Sequence, residues 1–123
     1  MRLSDFRKKK IVVLNFWTTW NPAAEDELMI LDNYYQKIKN SPDFAVLAVN
    51  NQEDKKIVDN FLRRSGASLP VLYDERGEAG ELYKLSILPT TYFINRRGAV
   101  ADFYVGILSE AEIKDRAEKL LLE

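Results

Sequence analysis

The sequence contains no cysteine and no histidine among its 123 residues. Without cysteine it can form no disulfide, present no thiol nucleophile and build no zinc site from thiolates. Without histidine, Ser-His-Asp triads and His-containing zinc sites are excluded as well. We therefore expect neither a metal ion nor a cofactor in this chain.

Long hydrophobic runs and an excess of one charge are also missing. No apolar run approaches the length of about 20 residues that spans a bilayer, and the start, MRLSDFRKKK, lacks the apolar centre of a signal peptide. We thus expect the chain as given to be soluble, with no membrane span. The 18 basic and 19 acidic side chains nearly cancel. This balance argues against a nucleic-acid partner, because nucleic-acid binding calls for a basic surface.

What the sequence does hold is enough apolar material for one packed core, since 46% of its residues are hydrophobic. It shows no internal repeat, no low-complexity segment and no Pro/Gly/Ser-rich linker. We therefore predict a single domain over residues 1–123.

The first strong pattern is an apolar run followed by a helical repeat. The run IVVLNFW, residues 11–17, is rich in β-branched and aromatic side chains and predicts a central strand covered on both faces. Asn21 suits a helix N-cap and Pro22 the first helical position. The inward face of this helix is predicted to hold Leu28, Leu31, Tyr35 and Ile38.

The middle of the chain continues the alternation of strand and helix. PDFAVLAVN predicts a second buried strand that ends near Asn50. The next helix is predicted over about residues 54–65, with Gly66 as its stop. The side chains that should face inward from it are Ile57, Phe61 and Leu62.

The last third predicts a short strand at PVLYD, a brief helix at GELYKL, and a hairpin at TTYFINRRGAVADFYVG with the turn NRRG. SEAE, residues 109–112, predicts a capping box at the start of a closing helix. Together these elements predict an α/β fold in which a mixed sheet carries helices on both faces.

Three stretches, in this order, resemble one protein family: LSDFRKKKIVVLNFWTTW, LAVNNQED and LPVLYDERGEAGELYKLSILPTTYFINRRG. They are similar to the TlpA/ResA-type thiol-disulfide oxidoreductases, thioredoxin-like proteins usually tethered outside the bacterial cytoplasmic membrane. The resemblance covers nearly the whole chain and implies a thioredoxin-like three-layer sandwich, with a mixed central β-sheet flanked by helices. It also implies an extracytoplasmic location, in the periplasm or cell envelope. The family usually has a β-hairpin and an anchor ahead of the LSD stretch, and we expect this chain to lack both.

The reactive pair of this family is replaced. Its CxxC motif falls on NPAA, so that Asn21 and Ala24 stand where the family has cysteines. The first thiol of such a motif lies at a helix N-terminus, which stabilises the thiolate that attacks a partner disulfide. Neither an amide nor a methyl group can do this, although Asn21 can still accept backbone N–H groups. We therefore expect the domain to be redox-inactive as given.

Two explanations of the replacement stay open: natural loss in a lineage that kept the fold for binding, or mutation of the cysteines in a working enzyme. The family motif is commonly followed by a basic residue and then by Glu-x-Pro, whereas this chain has Glu25 and, after Glu27, Leu28 and Met29. An acid beside the motif disfavours a thiolate, and a knock-out of the two cysteines would leave these positions alone.

We therefore favour natural loss and predict a binding or accessory module. The alternative is a thiol-disulfide oxidoreductase, of the disulfide-reducing, cytochrome c maturation type, with its cysteines replaced by mutation. A peroxidase relative of the same fold is disfavoured because its essential thiol is missing as well.

The resemblance also implies a surface for a protein or extended peptide partner. Pro89 corresponds to the family's cis-proline, and a cis Leu88–Pro89 bond would leave the Leu88 backbone exposed for pairing with an extended segment. Trp20, at the turn, and Pro22 are the other predicted contact residues. Trp17 is expected in the core.

Glu53 resembles the acidic residue that faces the family's active site and serves as proton acceptor for the buried thiol. Because this chain has no thiol, we expect Glu53 instead to be a first-turn helix glutamate favoured by the helix dipole.

Overall fold

The run IVVLNFW forms strand β1, Ile11–Trp17, and all 7 of its residues are buried. The structure is a computed structural model that describes residues 10–123, so the LSDFRKK part of the first family-like stretch lies outside the described residues. The other strands are β2 (Phe44–Asn51), β3 (Val71–Asp74), β4 (Thr90–Ile94) and β5 (Val100–Val105). The helices are α1 (Ala24–Ile38), α2 (Lys55–Ser65), α3 (Glu78–Leu82) and α4 (Glu110–Lys119), and a 3₁₀ turn at Leu120–Leu122 follows α4.

The described strands form one mixed sheet in the order β3-β2-β1-β4-β5. β1 pairs in parallel with β2 and antiparallel with β4, and Phe16 lies opposite Val49 on one side and Thr90 on the other. The end of β1 therefore lies beside the beginning of β4. As a result, the loop that follows β1 and the loop that precedes β4 emerge at the same end of the sheet.

Helices cover both faces of the sheet, which confirms the predicted three-layer, thioredoxin-like architecture. On one face, α1, α2 and α4 pack over β1 and β2. The buried side chains that these helices contribute include Leu28, Leu31, Val58, Ile113 and Ala117. On the opposite face, Val12, Leu14 and Phe16 are covered by α3 and by the segment that leads to Leu88. Within residues 10–123, no helix is both long enough and apolar enough to cross a bilayer.

Helix α1 begins later than the sequence predicts. Its first residue is Ala24, and Ala23 occupies the N-cap position without a side-chain cap. Asn21 instead forms a turn ahead of the helix: its Oδ1 accepts the Ala23 N–H at 3.0 Å, and its carbonyl accepts the Ala24 N–H at 2.9 Å. The predicted N-cap at Asn21 and helical Pro22 are therefore wrong, because the Asn side chain caps this turn and not the helix.

Helix α2 begins at Lys55 after the N-cap Asp54, and it ends at Gly66, whose φ of 75° is the left-handed conformation expected of a helix stop. The prediction that Ile57 faces inward is wrong, since 54% of this residue is exposed. Val58 takes the buried position instead, and Phe61 packs against the core from the same side. Positions three residues apart share a helix face, so the apolar face is set by Val58 and Phe61.

Helix α3 begins two residues before the predicted GELYKL segment. The Asp74 carboxylate, at the end of β3, accepts the Ala79 N–H at 3.0 Å and the Gly80 N–H at 2.9 Å. These two bonds satisfy backbone donors at the start of the helix and fix where it begins.

The last part of the chain follows the prediction closely. The NRRG turn joins β4 to β5, with the Gly98 N–H donating to the Asn95 carbonyl at 2.9 Å. Ser109 and Glu112 form the predicted capping box at the start of α4.

Strand β5 is an edge of the sheet and carries an unusual local bond. The Gly106 N–H donates to the Pro89 carbonyl, so it points toward β4. In an antiparallel pair the backbone N–H groups of a strand point alternately toward the partner strand and away from it, so the Phe103 N–H points away from β4, to the open edge. This N–H donates to the Asp102 carboxylate at 2.8 Å, and Arg116 of α4 donates to the same carboxylate at 2.9 Å.

Candidate functional site

The candidate site lies where two loops leave the same end of the sheet. Residues 18–23 join β1 to α1, and residues 86–89 lead into β4. We use "loop surface" for residues 19–23 and 87–90. This is the end of the sheet at which the predicted contact residues Trp20, Pro22, Leu88 and Pro89 are found.

The first loop presents Trp20 and Pro22 to solvent. Trp20 is 67% exposed, whereas Trp17 is fully buried and packs its ring 5.6 Å from that of Phe61. The predicted separation of one tryptophan in the core and one at the surface is confirmed. A large exposed aromatic side chain at a turn is typical of contact surfaces, because it offers much apolar area at low entropic cost.

The two positions that correspond to the family's cysteines differ in exposure. Asn21 is half-buried, and Ala24 is buried within the first turn of α1. The Asn21 side chain accepts the Ala23 N–H, so it uses a backbone donor near the helix start that could otherwise stabilise an anion. This part of the structure therefore has the geometry of a helix-start reactive site and no nucleophile.

The second loop contains the Leu88–Pro89 peptide bond, which is cis, as the resemblance implies. Pro89 is buried, and the Leu88 side chain packs against the core on the α3 side of the sheet. The neighbouring carbonyls are satisfied, because Ile87 accepts the Thr90 hydroxyl and Pro89 accepts the Gly106 N–H. By contrast, neither the N–H nor the carbonyl of Leu88 has a hydrogen-bond partner within residues 10–123.

Glu53 holds the first loop in place. Its Oε1 accepts the Thr19 N–H at 2.7 Å and the Asn50 amide at 2.8 Å, and its Oε2 accepts the Thr19 hydroxyl at 2.6 Å. The expectation of a first-turn helix glutamate is wrong, since α2 begins at Lys55 and has no acidic residue in its first turn. Glu53 precedes the Asp54 cap, which leaves its carboxylate free to reach back to the loop after β1.

A buried polar cluster below the loop surface was not predicted. The Asn15 amide, in the middle of β1, donates to Glu27 Oε2 at 3.1 Å and to the Thr91 hydroxyl at 2.9 Å. Glu27 is only 5% exposed, and burial raises the pKa of its carboxyl to about 7, an effect that the Asn15 hydrogen bond partly offsets. The signals in the sequence were the single asparagine inside IVVLNFW and a glutamate four residues before the inward Leu31.

The surroundings of the cluster contain further buried polar atoms. Among the described residues, Asn15 Oδ1, Trp17 Nε1 and Thr18 Oγ1 are buried without a hydrogen-bond partner. No group of three or more acidic side chains within residues 10–123 is arranged to hold a metal ion. The chemistry that the site offers is therefore proton binding at Glu27 and hydrogen bonding at Leu88.

Known proteins of similar sequence share most of this chain. Residues 1–103 match the AhpC/TSA family. The thiol-disulfide oxidoreductase ResA of Bacillus subtilis (strain 168) is 37% identical over 115 residues, which are 94% of this chain and 63% of that protein. ResA of Geobacillus kaustophilus (strain HTA426) is 34% identical over 97% of this chain and 67% of its own length. The chain thus spans about two thirds of the length of these curated relatives.

Solved structures of thioredoxin-like proteins also align with nearly the whole chain. The pneumococcal exposed lipoprotein thioredoxin Etrx1 of Streptococcus pneumoniae aligns over 97% of this chain and 90% of its own, with a TM-score of 0.86 and 26% identity. A putative thiol:disulfide interchange protein DsbE of Chlorobium tepidum aligns over 99% of this chain and 84% of its own, with a TM-score of 0.83 and 28% identity. The chain therefore belongs to the AhpC/TSA family, as a thioredoxin-like domain of the ResA-type thiol-disulfide oxidoreductases that contains no cysteine.

Proposed function

We propose that this domain is a redox-inactive binding module that holds an extended segment of a partner protein at the loop surface. The observation that carries the proposal is the Leu88 backbone, whose N–H and carbonyl have no partner among residues 10–123. Backbone groups of this kind can pair with an extended chain as a strand pairs with a sheet edge.

The side chains around Leu88 support the same interpretation. Ile87 is 56% exposed and Trp20 is 67% exposed, so each offers apolar area to a bound segment. Such contacts are not specific to one sequence, whereas the backbone bonds require the segment to be extended. The proposed partner is therefore defined by an extended backbone with apolar side chains.

Thiol-disulfide exchange requires a thiolate to attack the partner's disulfide, and this chain supplies none. Family membership supports the second candidate, an oxidoreductase whose cysteines were replaced by mutation. The exposed Glu25 opposes that candidate, because a carboxylate beside the motif disfavours a thiolate.

We also propose that the domain works outside the cytoplasm. The support is its likeness to ResA-type proteins and to a pneumococcal thioredoxin described as an exposed lipoprotein. Fractionation of cells that express the natural gene tests this proposal, and recovery of the protein in the cytoplasmic fraction alone would contradict it.

The binding proposal is tested with a peptide selected from a random displayed library and then titrated into the ¹⁵N-labelled protein. Amide shifts should concentrate at residues 20–23 and 87–90. Trp20→Ala should weaken binding about tenfold, which is about 1.4 kcal/mol. Phe103→Ala is the matched control, because Phe103 is an aromatic residue with similar exposure, 59%, on the edge strand β5. Shifts confined to the NRRG end of the sheet would contradict the proposal.

A further inference from the structure

The two faces of the sheet are covered unequally within residues 10–123. Helices of 15, 11 and 10 residues pack on one face, whereas α3, the helix on the other face, has 5 residues. The outer face of β4 and β5 therefore keeps apolar side chains in solvent. Leu82 of α3 is 83% exposed, and Val100, Phe103 and Val105 of β5 are exposed beside it. An exposed apolar patch of this kind marks a binding surface.

These side chains line a groove, for which we use "β5 groove". Its walls are residues 82–86 at the end of α3 and residues 100–105 of β5, and the buried Thr90 and Tyr92 form its floor. It runs from Thr90, beside the loop surface, to Gly98 in the NRRG turn. Its volume of about 700 Å³ lies within the range of about 300–1,000 Å³ that is typical of small-molecule sites.

The floor of the β5 groove presents aromatic surface and few polar groups. The Tyr92 ring lies 5.3 Å from that of Tyr83 and 6.2 Å from that of Phe103. The Tyr92 hydroxyl donates to the Tyr83 carbonyl at 3.1 Å, so its polar tip is already satisfied inside the protein. β4 and β5 pair with each other, which directs their backbone groups along the sheet and not into the groove.

This floor suits an alkyl chain better than a peptide. A peptide laid in the groove would bury its own N–H and carbonyl groups against side chains that cannot pair with them, at a cost in free energy. An alkyl chain has no such groups. The Leu88 backbone at the loop surface differs in this respect, because its unpaired groups can bond to an extended segment.

Lys84 supplies the one charge of the β5 groove among the residues that the structure describes. It is exposed, and neither its ammonium group nor the Ser86 hydroxyl has a partner within residues 10–123. Both side chains line the groove, so both can donate hydrogen bonds to one anion. The wall of the groove therefore favours a ligand with a negative charge.

Lys84 also has a backbone conformation that is costly for a residue with a side chain. Its φ of 56° is left-handed. Its N–H donates to the Glu81 carbonyl at 3.0 Å, and the Leu85 N–H donates to the Gly80 carbonyl at 2.8 Å. Helices that end with these two bonds usually carry glycine at the position of Lys84, since glycine has no Cβ. The lysine is thus kept where glycine would be cheaper, and its side chain lines the groove.

We propose that the β5 groove binds a monocarboxylate with an unbranched alkyl chain: the chain lies on Tyr92, Phe103 and Leu82, and Lys84 and Ser86 bind the carboxylate. This site is separate from the proposed peptide site, because its ligand needs neither Trp20 nor the Leu88 backbone. It gives the domain a second binding task that requires no thiol.

The test titrates dodecanoate, and dodecanol as its uncharged analogue, into the ¹⁵N-labelled protein. Amide shifts should concentrate at residues 82–86 and 100–105, with a Kd for dodecanoate below about 1 mM. Lys84→Gln should raise this Kd about fivefold, the effect of losing one exposed ion pair, and should leave the Kd for dodecanol unchanged. Lys56→Gln is the matched control and should change neither Kd, because Lys56 is an exposed lysine of α2 on the opposite face.

A second pair of variants tests the apolar contact. Leu82→Gln should weaken the binding of both ligands about threefold, and it leaves the core intact because the side chain is exposed. Leu122→Gln is its control, since Leu122 is 90% exposed in the 3₁₀ turn after α4. Unchanged binding of both ligands by Leu82→Gln would contradict the placement of the alkyl chain.

Three results would overturn the proposal. The first is the absence of shifts at about 1 mM dodecanoate, or shifts confined to residues 115–122, the other exposed apolar patch. The second is an equal effect of Lys84→Gln on the acid and the alcohol, which would remove carboxylate recognition. The third is self-association in sedimentation that Leu82→Gln abolishes, which would make the groove a contact between copies of the chain. None of these results affects the peptide proposal, which is tested at residues 20–23 and 87–90.

Discussion

Replacing Glu53 by alanine removes the side chain that ties the loop after β1 to the end of β2. The variant loses three hydrogen bonds, of 2.6, 2.7 and 2.8 Å, and leaves the N–H and hydroxyl of Thr19 and the Asn50 amide without their acceptor. A hydrogen bond contributes about 1 kcal/mol net, and more where one partner is charged, but Glu53 is only half-buried. We therefore expect the free energy of unfolding to fall by about 3 kcal/mol.

Glu53→Gln separates the geometry of these bonds from the charge. The glutamine Oε1 can still accept from Thr19 N and Asn50, and its Nε2 can donate to the Thr19 hydroxyl, whose own hydrogen is free to rotate. The expected loss is about 1 kcal/mol, because the three contacts remain and the charge does not.

Urea unfolding followed by circular dichroism and tryptophan fluorescence measures both variants, with unchanged slopes as the condition for comparing midpoints. Glu75→Ala, at an exposed glutamate in the turn after β3, is the control and should change stability by less than about 0.5 kcal/mol. The reasoning is refuted if Glu53→Ala costs no more than this control. It is also refuted if the glutamine variant is as unstable as the alanine variant, since charge alone would then carry the effect.

The remaining predictions concern the lost reaction and the last helix. In the double variant Asn21→Cys, Ala24→Cys, the new disulfide should form and the first thiol's pKa should fall below its free value of about 8.5, because the helix start is intact. Its rate of reducing a test disulfide should stay far below that of a ResA-type relative, since Glu25 opposes the thiolate; an equal rate would favour replacement of the cysteines in a working enzyme. Ser109→Ala removes the 3.1 Å bond from the Glu112 N–H and should cost about 1 kcal/mol in urea unfolding, whereas Ser109→Thr should retain most of it.

The elements that the sequence predicted well are those whose signals are local. Strand β1 is an uninterrupted run of β-branched and aromatic residues, and the Ser109 capping box and the Gly66 stop each involve groups at most a few residues apart. The predicted start of α1 was wrong by two residues although its signal is also local, because an asparagine can cap either a helix or a tight turn. The sequence near Asn21 is compatible with a helix cap and with a tight turn, so it does not decide between them.

The candidate site was predicted less completely, because its bonds join distant parts of the chain. The Asn15 amide contacts residues that lie 12 and 76 positions away, and Glu53 reaches back 34 positions to Thr19. Asn15 and Thr91 meet because they lie opposite each other in the pairing of β1 with β4, and the sequence alone does not give that register. The exposure of Trp20 was predictable, since it is the first large apolar residue after the buried strand has ended.

The bond between Asp102 and the Phe103 N–H has a consequence for the protein at high concentration. β5 is an edge strand whose Val100, Phe103 and Val105 side chains are all exposed, and a strand of this composition is a template for edge-to-edge aggregation. The Asp102 carboxylate already occupies the outward donor at the middle of that edge, and Arg116 holds the carboxylate in place. A second molecule that adds its strand to β5 has to displace both contacts and bring its backbone up to a carboxylate. Unwanted self-assembly is thereby disfavoured at β5, whereas the Leu88 backbone stays open to a partner.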